Sequence, residues 1–179
     1  MINILIADDH TIVRKGLIEL VEDTGEIKVV SEAKNSAEVI HLLSENSYDV
    51  VVLDISMPGR SGLEALKEIK KIKPRLPVLI LSMHPEEQYA VRVIKAGASG
   101  YLNKDSAPEE LINAIKTIAG GRKFISTKIA EQLANHFDAT IHKASHEILS
   151  DREYEVMLKI ARGDSLTAIA NELSLSVKT

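Results

Sequence analysis

Cysteine and tryptophan are absent from these 179 residues, and aromatic residues of any kind make up only 3%. Without cysteine there are no disulfides, no thiolate metal sites and no thiol nucleophiles. That composition fits a reducing compartment. Long apolar runs are missing as well. The longest uninterrupted aliphatic stretches, Val50 to Leu53 and Val78 to Leu81, fall far short of the roughly 20 residues that cross a bilayer. The apolar opening Ile2 to Ala7 has no basic leader and runs straight into Asp8 and Asp9, unlike a secretion signal. A basic excess is the third absence. Lys+Arg number 22 against 26 Asp+Glu, a net charge of −4, so there is no global footprint for nucleic acid. Apolar residues make up 45%, enough for a core of normal size. A soluble, cytoplasmic chain with no membrane partner is expected.

Two textures alternate through the first two thirds. β-Branched runs occur at Ile2 to Ala7, Ile27 to Ala33, Val50 to Asp54, Val78 to Ser82 and Gly100 to Asn103. Helical spacing follows each of them, for example Ile12, Leu17, Leu20 and Val21, or Leu63, Leu66 and Ile69. Strand and helix in alternation predict an α/β fold with a five-stranded parallel sheet. The middle strands VVVLD and PVLILS are apolar throughout, as strands covered on both faces should be. Gly120-Gly121 closes this array. Ile125, Ile129, Leu133 and Phe137 then recur every fourth residue, predicting a linker helix opened by Ser126. His136 to Ser145 is polar and reads as loop. Ser150 and Glu153 form a capping box, a helix runs to Gly163, and Ser165 opens another. Ser174-Leu175-Ser176 reads as the cap of a third. Two short helices, a tight turn and a further capped start predict a partial helix-turn-helix.

Ligands of a doubly wound sheet sit at the carboxyl ends of its strands. There the sequence places Asp8 and Asp9 for the first strand, Asp54 for the third, Ser82 for the fourth and Lys104 for the fifth. Gathered acids repel unless a cation joins them, and a set of oxygen ligands favours Mg²⁺. A carboxylate beside such an ion is a nucleophile for phosphorus, with Lys104 and the metal opposing the charge that develops. Taken singly, Asp9 would more simply cap the first helix, and Asp54 would be a turn residue. Ser82 and Lys104 would be solvated.

Asp8-Asp9, LDISMPGRSG around Asp54, LILSMH around Ser82 and GYLNKD around Lys104 resemble the receiver domain of bacterial response regulators. The resemblance implies a flavodoxin-like (βα)5 receiver over residues 1–121. In it Asp54 accepts phosphate from a sensor histidine kinase. It also implies Mg²⁺ held by Asp9, Asp54 and the Ser56 carbonyl, with Asp8 acting through water. Ser82 and Tyr101 would form the switch pair, and Lys104 would bind the phosphoryl group. Ser56 and His84 would tune hydrolysis of the aspartyl phosphate. Receivers often place a cis proline after the lysine. Here Asp105 follows Lys104, and a cis bond before a non-proline costs about 3 kcal/mol, so a trans bond is expected.

Leu149 to Thr179 resembles the LuxR-type helix-turn-helix, which places the chain with the NarL/FixJ transcriptional regulators. The implied division is a receiver over 1–121, a helical linker over 122–146, and a helix-turn-helix over 147–179. That last part is truncated at the start of its reading helix. Ser176, Lys178 and Thr179 would be the DNA-contacting residues of this incomplete helix, with promoter DNA and a phosphorylation-dependent homodimer as partners of the complete protein. From Glu147 onward four bases face six acids, the wrong sign for gripping phosphates. Tight operator binding by these 179 residues is therefore not expected, and Met157, Ile160, Ile169 and Leu173 would lack a neighbour. The chain is expected not to be an enzyme. Two rivals are a Mg²⁺-dependent aspartyl-phosphate phosphatase and a regulator that sequesters partners without touching DNA. The first commonly carries an acid two residues after the nucleophile, where this chain has Ser56.

Overall fold

In the computed structural model, residues 1–57, 61–106, 108–138, 149–173 and 175–176 are described. They form two compact units, Met1–Leu133 and Ala134–Thr179.

The first unit alternates strand and helix as the sequence predicts. Its elements are β1 (Ile2–Ala7), α1 (Thr11–Glu22), β2 (Ile27–Ala33), α2 (Ser36–Glu45), β3 (Val50–Asp54), α3 (Gly62–Ile72), β4 (Val78–Ser82), α4 (Glu86–Lys95), β5 (Gly100–Asn103) and α5 (Pro108–Ala119). The strands lie in the order β2-β1-β3-β4-β5, all parallel. The order reverses at β1/β3, so the cleft of this sheet opens where those two strands end. Alternation along the strands divides the core. Ile4, Ile6, Val50, Val52, Leu79 and Leu81 cluster with Val21 of α1 and Leu111, Ile115 and Ile118 of α5. Leu5, Val51, Leu53 and Ile80, on the opposite face, are equally buried, as are Val39, Leu43, Leu66 and Ile69 of α2 and α3. The fully buried VVVLD and VLILS strands are the reason those stretches carry no polar alternation.

One helix marker differs from expectation. Ile12 lies on α1 but is 89% exposed, because it sits in the first turn, at the sheet's edge and beyond reach of the core.

After α5 the chain returns along the outer side of β5. Phe124 bridges Gly100 in parallel, donating its N–H to the Ser99 carbonyl at 2.9 Å. Gly100 makes this approach possible, since a Cβ there would lie 2.8 Å from the Phe124 carbonyl oxygen. α6 (Thr127–Asp138) follows, and the Ser126 hydroxyl accepts from the Ile129 N–H at 3.2 Å, the expected opening cap. The helix continues through His136, Phe137 and Asp138, where the sequence reads as loop. The Phe137 repeat carried more weight than the polar composition. Residues 139–145 of that loop lie outside the described residues.

In the second unit, α7 (Asp151–Ala161) and α8 (Leu166–Glu172) form the expected pair. Ser150 and Glu153 make the capping box, and the Ser165 side chain accepts from the Ala168 N–H. Gly163, at φ 87°, turns the chain between the helices, a conformation open to glycine at no steric cost. Lys159 Nζ pairs with Glu172 Oε1 at 2.6 Å, and the Arg152 guanidinium donates to the Leu173 carbonyl. Of the four residues expected to lack a neighbour, Ile169 and Leu173 are buried. Ile160 is 52% exposed, beside an apolar groove of about 480 Å³ that Met157 also lines. The expected third cap falls partly on Ser174, and its helix on residues 177–179, outside the described residues.

Candidate functional site

β1 runs directly into Asp8, and a hydrogen bond from the Asp8 N–H to the Ala33 carbonyl, at 3.1 Å, keeps this extension beside β2. β3 ends on Asp54, β4 on Ser82, and β5 is followed by Lys104. The Lys104 N–H donates to the Ser82 carbonyl at 2.8 Å, which turns its side chain's base toward the cleft at the order reversal. The ammonium then bridges two acids, with Nζ 2.7 Å from Asp8 Oδ2 and 2.7 Å from Asp54 Oδ2. Both carboxylates are 1% exposed. Their other oxygens accept backbone N–H groups two residues on, Asp8 Oδ1 from His10 at 2.8 Å and Asp54 Oδ1 from Ser56 at 3.0 Å.

Electrostatics follow from one cation between two buried acids. Burial pushes the Asp54 carboxyl above the usual carboxylate range, against the pull of Lys104 and the Ser56 N–H, and Asp8 adds to the rise. Burial also works against the Lys104 ammonium, but Asp54 and Asp8 together outweigh it and hold that group above its ordinary value. Lys104 is thereby held in its charged form between the two acids.

Asp9 differs from its neighbours. It does not cap α1. The N-cap is His10, with no side-chain bond to the helix, because the turn through Asp8 delays the first helical residue to Thr11. Asp9 Oδ1 is buried without a hydrogen-bond donor, although His10 Nδ1 lies 3.0 Å away as an ion-pair contact. Single ligand atoms of Asp8, Asp9, His10 and Asp54 fall within 4.8 Å of one another. A buried carboxylate oxygen with no donor, amid acids that outnumber the local ammonium, fits a small oxygen-seeking divalent cation. His10 was not singled out in the sequence, where only its place after two acids distinguishes it.

On the far side of Lys104, the buried Ser82 hydroxyl accepts from the His84 N–H at 2.9 Å. The Tyr101 hydroxyl donates to the His84 carbonyl at 2.7 Å, with its ring buried. The His84 backbone thus joins the two side chains, and its ring stacks on Tyr89 with centroids 4.9 Å apart. Ser56 is exposed at the mouth. The Lys104–Asp105 bond is trans, as expected, with no cis peptide among the described residues. Ser176 is exposed in the second unit, and Lys178 and Thr179 lie outside the described residues. Among those residues no helix is long and apolar enough to cross a membrane.

Comparison with known families agrees with this arrangement. The family described as response regulator receiver domain matches residues 4–116, and bacterial regulatory proteins of the luxR family match residues 147–179. The chain is a two-component response regulator of the NarL/FixJ family. The regulator is 38% identical to the response regulator UvrY of Escherichia coli strain K12, over all of this chain and 83% of that protein. It is 37% identical to the oxygen regulatory protein NreC of Staphylococcus epidermidis, over 98% of this chain and 84% of that one. Among solved structures, a LuxR-family response regulator from Aurantimonas sp. SI85-9A1 superposes with a TM-score of 0.70 at 38% identity. It covers 76% of this chain and 98% of its own. RcsB of Salmonella enterica, solved bound to the rprA promoter with the phosphomimetic BeF3⁻, gives 0.68 at 28% identity, covering 99% and 85%. The regulator therefore joins a receiver to a LuxR-type DNA-binding domain and controls transcription.

Proposed function

We infer that Asp54 is the phosphoacceptor, taking its phosphoryl group from a phosphohistidine of a cognate sensor kinase. The observation that carries this reading is the convergence of Asp8, Asp54 and Lys104, with one ammonium 2.7 Å from both acids. An Asp54 oxygen forms the new bond to phosphorus as the P–N bond breaks, and the departing imidazole nitrogen keeps the electron pair and takes up a proton. Lys104 and the Ser82 hydroxyl bind phosphoryl oxygens. Asp9, Asp54 and the Ser56 carbonyl would hold Mg²⁺, with Asp8 acting through water, and the ion would supply positive charge against those oxygens.

Once phosphorylated, Asp54 draws on Ser82, and Tyr101 follows through the His84 backbone that both side chains share. Ser56 and His84, at the mouth, set how fast water reaches the acyl phosphate. Ser56, not an acid, stands two residues past Asp54, the position from which such an acid would drive rapid turnover. The regulator is therefore an acceptor rather than a phosphatase. The division is a receiver over 1–121, a linker over 122–146 and a helix-turn-helix over 147–179. Promoter DNA meets Ser176, Lys178 and Thr179, and phosphorylation favours a cytoplasmic homodimer. RcsB, a relative of 30% identity, has been solved as dimers bound to DNA. Because residues 147–179 carry more acids than bases, this stretch alone is expected to bind DNA weakly.

Acetyl phosphate with Mg²⁺ should add one phosphoryl group to the chain, read by mass spectrometry. Asp54→Ala should abolish the added mass. Undiminished labelling of that variant would remove Asp54 from the role.

A further inference from the structure

Arg14 lies one turn into α1, and its guanidinium reaches back beneath the acidic turn that precedes the helix. Nη1 donates to the Asp8 carbonyl at 2.6 Å, and Nε donates to Glu32 Oε2 at 2.9 Å. The side chain is 13% exposed. Glu32 and Ala33 are the last two residues of β2, and Ala33 accepts the Asp8 N–H. Both peptide planes flanking Asp8 are therefore fixed to the end of β2, one directly and the other through Arg14.

The plane held by Arg14 is the one joining Asp8 to Asp9. Asp8 has further restraints on its carboxylate, from Lys104 and the His10 N–H. Asp9 Oδ1 has no hydrogen-bond donor and only an ion-pair contact, 3.0 Å from the exposed His10 ring, so its backbone is the main determinant of where that carboxylate points. Rotation of the Asp8–Asp9 plane would swing it away from Asp8 and Asp54. Two bonds from adjacent edges of one planar group need arginine, because lysine offers a point charge on a flexible stem.

We propose that Arg14, anchored by Glu32, is a positioning residue that aims Asp9 at the divalent cation. This rests on the reading of Asp8, Asp9 and Asp54 as the cation's cradle. A guanidinium that merely stapled α1 to β2 would affect folding and leave cation affinity alone. One that orients Asp9 sets the affinity itself, and loss of such outer partners typically weakens metal binding 10–100-fold.

The test uses the full chain with Arg14→Gln, Arg14→Lys and Glu32→Ala. Calorimetry gives Mg²⁺ affinity, and acetyl phosphate labelling gives the Mg²⁺ concentration at half-maximal rate and the limiting rate. Arg14→Gln should weaken Mg²⁺ binding about 10–100-fold, with the limiting rate restored at saturating Mg²⁺. Arg14→Lys should resemble it, and Glu32→Ala, which keeps the Asp8 bond, should lose less. A folded Arg14 variant with unchanged Mg²⁺ affinity overturns the proposal, as does a limiting rate that falls while affinity holds. Should Arg14→Gln fail to fold, the other two variants are judged by the same criterion. Labelling that survives Asp54→Ala overturns the acceptor reading instead. Calorimetry, which needs no phosphodonor, then still decides the role of Arg14. An unaltered chain that binds no Mg²⁺ overturns both.

Discussion

Asp54 is held at a cost. Its folded carboxyl lies above the ordinary range because burial outweighs the pull of Lys104, so the folded state binds that proton more tightly than the unfolded chain. Linkage then fixes the sign. Stability falls as pH rises from about 3.9, the unfolded value, through the raised folded value, and the deficit is complete above it. Asp54→Asn should therefore raise the melting temperature at neutral pH in EDTA, by about 2–4 °C for each kcal/mol relieved. The advantage should shrink as pH falls toward the unfolded value. A variant that melts at or below the unaltered chain at neutral pH would show that the Lys104 contact dominates instead. The position of Asp54 was legible in the sequence because it ends a run of four apolar residues. The roles of His10 and Arg14 were not, since both depend on what β2 and the acidic turn place beside them.

At the scale of elements, α3 begins unusually close to the strand that carries Asp54. The Gly62 N–H donates to the Ile55 carbonyl at 3.0 Å, and a Cβ on Gly62 would lie 2.5 Å from the Asp54 carbonyl oxygen. The obstruction is backbone and cannot swing aside. Gly62→Ala should cost about 1–3 kcal/mol in urea denaturation and slow acetyl phosphate labelling by displacing Asp54. A variant of unchanged stability would mean that the helix start yields freely. Ser61 caps α3 just before Gly62, yet the sequence reveals nothing of the glycine's contact, which depends on tertiary packing. By contrast, all five strands were legible: β3 and β4, buried on both faces, are apolar throughout, and the edge strand β2 shows the two-residue alternation of a half-covered strand. Ile12 misleads for a related reason, in that helical spacing records a face without saying whether the sheet extends far enough to cover it.

Over the whole molecule, the sheet, its core and the acidic cleft lie within Met1–Leu133. Residues 1–133 alone should therefore unfold cooperatively, and Mg²⁺ should raise their melting temperature. A ligand at 100 times its dissociation constant contributes about 2.7 kcal/mol. A fragment that melts identically with Mg²⁺ and with EDTA would argue against the cation site. One property of this unit comes from the chain that leaves it. An open sheet has two rims with unpaired amides, and each is a template for a foreign strand. Phe124 already occupies part of the rim beyond β5, so a second molecule would have to displace it before adding there. Gly100→Val should evict Phe124 and turn a monodisperse solution into one that scatters more light on standing. Unaltered scattering would show that the rim is guarded by something else. A single side-chain-free position, one residue before Tyr101, is thereby expected to act against amyloid-like growth.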